Sequence, residues 1–193
     1  MLKLITPPAV PIVELAGAKA HLRVDLNTED VMIETLVAAS TRHAEDYTRR
    51  AFLTQTWQLT LDEFPEEDFI KIPLPPLDVV NSVKYYDDDD TEYTMDVADY
   101  YVDTFSEPGR VVLRNEASWP TDTLRAANGV IINFDCGWGI ADDVPGPIYQ
   151  AVLIMLNHLY DNRDLIVQTG AMPKEIPRSF ESLLWPYRVI EFS

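Results

Sequence analysis

The spacing of apolar positions changes twice along the chain, dividing it into three zones. Residues 1 to about 53 read as helical, 54 to about 140 as strands, and 145 to 193 as helical again. In the first zone, Glu14–Arg23 (ELAGAKAHLR) places Leu15, Ala18 and Leu22 on one face of a short helix. Asn27 is positioned to cap a second helix, with Asp30 three residues on, as in a capping box. Ile33, Leu36, Val37, Ser40, Ala44 and Tyr47 form its stripe. Arg49 and Arg50 at its end suit the negative pole of the helix dipole.

In the middle zone the period falls to two. Trp57, Leu59 and Leu61 alternate with Gln58, Thr60 and Asp62, the pattern of a half-buried strand. FIKIPL, VVNSVKYY, DYYVDTF, RVVLRN and VIINFDCG follow as further short strands, and their spacing predicts an antiparallel sheet or small barrel. Pro73, Pro75 and Pro76 mark a strand end or an edge.

The third zone opens with Pro147 at a helix start, followed by Ile148, Val152, Met155 and Leu159 at helical spacing. Leu153, Ile154 and Leu156 lie on the opposite side. A helix apolar nearly all round must be central to its own subunit or covered by a neighbour. A loop over 165–177, with Gly170, Pro173 and Pro177, leads to SFESLLWPYRVIEFS, a short aromatic helix and an extended tail.

Composition narrows the function. The longest apolar run, Ala151–Leu156, is far short of the roughly 18 residues of a membrane span. Pro7, Pro8 and Pro11 interrupt any signal-peptide core, so a soluble product made in the cytoplasm, with no membrane partner, is expected. The single cysteine, Cys136, excludes an internal disulfide and reads as a buried strand residue. His21, His43 and His158 lack helical metal-ligand spacing, and Asp87–Asp90 lacks the alternation and glycine of a calcium loop. No nucleophile elbow, zincin or P-loop pattern occurs. Neither an enzyme, a metal nor a cofactor is expected.

Charge sets this chain apart. Net charge is −17, and fourteen acids between Asp62 and Asp103 face only Lys71 and Lys84. That stretch repels a phosphate backbone. The same pattern serves plain solubility, or a surface that a polyanion must slide past. Asp87, Asp88, Asp89, Asp90 and Glu92 are the candidate acidic surface for the second role.

The order of segments resembles a known family. AKAHLRVD, AEDYTRRAFLTQTWQLTLDEFP, IPLPPLDVVNSVKYYDDD, DYYVD, VIINFDCGWG, VPGPIYQAVLIMLNHLYDNRD and LLWPYRV follow one another as in the head-tail connector (adaptor, or head-completion) proteins of tailed bacteriophages and their prophage and gene-transfer-agent relatives. The similarity runs from about residue 14 to 190. It implies an α+β fold: one connector domain over 1–193, with a helical core of N-terminal helices plus the long C-terminal helix and an antiparallel β subdomain inserted at 54–140. It further implies a homo-oligomeric ring, about twelve-fold, beneath the portal protein. A next connector or tail-terminator protein would bind the other side, and DNA would pass through without specific binding. No catalytic residue is implied. Residues 165–193 are the expected docking segment. Arg178, Phe180, Leu184, Trp185, Tyr187 and Arg188 supply its aromatic and cationic anchors, with Arg163 and Lys174 adding to its less acidic character. The rival from another class is an acidic DNA mimic inhibiting a nucleic-acid enzyme, against which the concentration of charge in one zone argues.

Overall fold

A computed structural model describes residues 1–162 and 176–190. The predicted loop glycine and proline at 170 and 173, and the cations Arg163 and Lys174, lie outside the described residues. The chain forms two units, one of residues 1–8 and 50–138, the other of residues 9–49 and 139–193.

The first unit is built of antiparallel strands. β1 (Leu2–Thr6), β2 (Gln55–Leu61), β4 (Leu77–Tyr86), β5 (Glu92–Thr94) and β8 (Val130–Cys136) form a sheet in the order β1-β2-β8-β4-β5. β3 (Phe69–Ile72), β6 (Tyr100–Asp103) and β7 (Gly109–Leu113) form a second sheet, ordered β3-β7-β6. The α+β reading stands. β8 is the centre: Val130, Ile132, Phe134 and Cys136 point inward, each completely buried. β4 carries two register shifts, so its buried residues fall at Leu77, Val80 and Val83 rather than strictly alternating. Ile70, Ile72, Tyr100 and Val111 from the small sheet join the same core. The prolines at 73, 75 and 76 occupy the connection between β3 and β4, as expected of a strand end.

Two strands depart from the helical and loop expectation. β1 pairs with β2 from Leu2↔Leu59 to Thr6↔Thr56, although residues 1–53 read as helical. Leu4 and Ile5 are exposed, so no inward alternation announced it; backbone pairing alone defines this edge strand. β5 is exposed at all three residues for the same reason.

The second unit is helical: α1 (Leu15–Leu22), α2 (Asp30–Thr48), α3 (Gly146–Asp161) and α4 (Arg178–Leu184), with short 3₁₀ turns at Asn27–Glu29 and Trp185–Tyr187. Asn27 does not cap α2. Its Oδ1 accepts from Lys19 Nζ at 2.7 Å, and the same ammonium reaches Asp30 at 2.7 Å, tying α1 to the start of α2. Ile33, Val37, Ser40 and Ala44 are buried as the stripe requires, while Leu36 and Tyr47 are half-buried. α3 meets α1, α2 and α4, and Ile148, Ala151, Val152, Leu153, Met155 and Leu156 are all buried within the chain. The central-helix reading of its all-round apolarity therefore holds, and no neighbour is needed to explain it.

Candidate functional site

The acidic residues 87–92 form the tip of the β4–β5 hairpin. Tyr86 pairs with Glu92 and Tyr85 with Tyr93, whose rings stack at 5.2 Å. Asp87 organises the turn: its Oδ1 accepts the N–H groups of Asp89 at 3.0 Å and Thr91 at 2.8 Å, and its Oδ2 accepts from Tyr93 Oη at 3.2 Å. Those bonds, led by the Thr91 N–H, hold its carboxyl below the usual aspartate range. Asp90 adopts a left-handed φ of 61° and lies 3.4 Å from Arg125, which stacks over Tyr86 at 4.0 Å. Glu92 accepts from Lys84 Nζ at 2.6 Å and from the Tyr86 hydroxyl, and the hydrogen bond from Lys84 is the main cause of its lowered pKa.

Three of the five predicted carboxylates, Asp87, Asp90 and Glu92, are thus bound into the hairpin. Asp88 and Asp89 remain as exposed side chains at the tip. This division is not legible in the sequence, because four consecutive aspartates look alike until the turn assigns each a place.

The C-terminal residues divide as well. Phe180 and Leu184 are completely buried on the inner face of α4. Phe180 packs against His43 at 5.4 Å and Tyr47 at 5.8 Å between ring centroids. These two are core residues of the helical unit, so their expected place at a docking surface is corrected. Arg178 and Arg188 are exposed, Tyr187 is half-buried, and Trp185 is 57% exposed. Arg188 lies 5.6 Å from both the Tyr47 and Trp185 rings, and the Val189 N–H donates to the Thr48 carbonyl at 2.9 Å. Residues 178–190 therefore pack on the helical unit of their own chain, with Trp185 exposed.

Among the described residues no group of three or more His, Cys, Asp or Glu could hold a metal ion, and no helix is long and apolar enough to cross a membrane. Cys136 is buried in β8, as expected.

Comparison with known proteins supplies the context. Residues 12–103, just under half of the chain, match the family model described as phage gp6-like head-tail connector protein. No curated protein matched the chain. Among solved structures, a chain from the neck of an empty gene-transfer-agent particle, computed with C6 symmetry, superposes with a TM-score of 0.83 at 21% identity, covering 100% of this chain and 97% of that one. A chain from the virion of a native gene transfer agent gives 0.81 at 20% identity, with the same coverage. One from the neck of the native particle, computed with C12 symmetry, gives 0.75 at 19%. At such identities the structural matches establish the fold. Residues 12–103 are thus similar to the phage gp6-like head-tail connector family, and over its whole length the chain has the fold of these gene-transfer-agent chains.

Proposed function

We propose that this protein is a structural component of the neck of a tailed phage or gene-transfer-agent particle. It assembles there as a homo-oligomeric ring between the portal protein and the next connector or tail-terminator protein. The observation that carries the reading is the end-to-end fold match, 100% of this chain against 97% of a particle-neck chain. The twelve-fold symmetry used for one such neck supports a ring of that order. The role is architectural, without catalysis or cofactor. Deleting the gene should yield filled heads and free tails that do not join, with joining restored by the gene in trans. Normal particles from the deletion strain would refute the reading.

Two finer assignments go with it. The acidic hairpin borders the DNA path, where Asp88 and Asp89 keep duplex from adhering. Replacing both by lysine should leave the fold intact and impair DNA retention or exit, since exposed charges contribute little to stability; unchanged delivery would remove the hairpin from the DNA path. Arg178, Trp185 and Arg188 form the exposed part of the portal-side docking surface, with Tyr187 at its margin.

A further inference from the structure

The outer face of the small sheet is cationic and aromatic in a strongly acidic protein. The strands alternate, so Ile70, Ile72, Val111 and Tyr100 point into the core. Their neighbours Phe69, Lys71, Tyr101, Arg110 and Arg114 share the opposite face, where Lys71 lies across from Arg110 and Tyr101 across from Val112. Cation and aromatic ring are interleaved: Arg114 sits 3.8 Å from the centroid of Tyr101, and Arg110 sits 5.7 Å from that of Phe69. Asp103 neutralises Arg110 at 2.6 Å, leaving Lys71 and Arg114 in excess. Tyr101 is 55% exposed, and Lys71 is exposed with no ion pair among the described residues. At the end of the face the β6–β7 loop carries Phe105, 97% exposed. Its loop is fixed by Asp103, which accepts the N–H groups of Phe105 and Ser106 at 3.1 Å and the Ser106 hydroxyl at 2.6 Å. Arginine and aromatic side chains held in place before contact are the composition of an interface centre. Acids resume directly beyond the strands, at Asp68 and Asp99, so the positive character is local.

We propose that this face receives a second copy of the chain, through the exposed loop Glu63–Asp68 of the neighbouring subunit. Charge complementarity selects that occupant. The loop EFPEED holds four acids and no cation in six residues. It is pre-formed, because Phe64 stacks on Trp119 at 5.1 Å and the Trp119 Nε1–H donates to the Glu67 carbonyl at 2.8 Å. The β4–β5 hairpin is a poorer match, since Lys84 and Arg125 already answer two of its carboxylates. The loop runs into β3 at Asp68 and so borders one end of the face; where the face of one copy meets the loop of the next without the reverse contact, the pairing is heterologous, the kind that can close into a ring. Duplex DNA is the less fitting occupant: two surplus cations stand against a molecular charge of −17. The inference rests on the ring reading above and adds the surfaces that would build it.

The test is a charge swap on the full chain, read as neck-ring occupancy by electron microscopy of particles. Lys71→Glu alone, and Glu66→Lys with Glu67→Lys, should each lower occupancy about tenfold or more, because like charges then meet across the contact. Combining all three changes in one chain should restore it. Phe105→Ala should lower occupancy with the circular dichroism spectrum unchanged. Wild-type occupancy in both reversals, or no recovery in the combined variant, overturns the proposal. So does intact ring formation accompanied by weaker binding of a duplex DNA fragment in Lys71→Glu, which would assign the face to nucleic acid. A wild-type chain that forms no neck ring would instead refute the ring reading itself.

Discussion

At the scale of single residues, backbone geometry and carboxylate placement decide stability in the β unit. Gly137 follows β8 with φ 118°, and a Cβ there would lie 2.3 Å from the Leu53 carbonyl oxygen. Gly137→Ala should therefore cost on the order of 3 kcal/mol or more in urea unfolding. Gly146→Ala, with nothing within 4 Å of the added carbon, should change stability by at most about 1 kcal/mol. Equal effects at the two positions would contradict the close approach. Asp103 is held well below the usual carboxylate range, first by the Ser106 hydroxyl and next by Arg110, and Arg50 lowers Glu107 likewise. A depressed folded pKa contributes stability above the unfolded value and loses it as pH falls through the folded one. Wild-type stability should thus decline below about pH 4, and Asp103→Asn should flatten that decline. A variant retaining the full acid dependence would exclude Asp103 as its source. These roles were illegible in sequence: DTFSEPGR reads as one more acidic turn until its hydrogen bonds are seen.

At the scale of elements, α4 and the turn after it combine two jobs. Phe180 and Leu184 anchor the helix in the core, while Trp185 projects from its end. Phe180→Ala should cost about 3–5 kcal/mol, whereas Trp185→Ala should cost under about 1 kcal/mol and instead reduce joining of heads to tails. If Trp185→Ala destabilises as much as Phe180→Ala, the residue is structural and the docking surface must lie elsewhere. A large apolar residue near the C-terminus reads the same whether it faces inward or outward, so sequence alone could not separate these two. The strong periods were legible. The stripe of α2 from Ile33 to Ala44 and the alternation of β2 and β8 appear where the pattern put them. β1 and β5 were missed because edge strands with exposed side chains carry no alternation.

At the scale of the whole molecule, the segment order was the most informative signal, since no single motif carries chemistry. Residues 12–103 match the connector family, and the fold extends to the entire chain. A net charge of −17 repels a phosphate backbone, as suits the proposed place of the subunit beside a DNA path. Copies of this chain are proposed to form a closed ring at the neck. The most direct measurement of that ring is a cryo-electron-microscopy reconstruction of the neck in particles that carry this protein. The expected density is a ring of this chain between portal and tail, of the order of the C12 symmetry used for a structurally similar neck. A neck holding one copy or none, or copies placed only elsewhere in the particle, would contradict it.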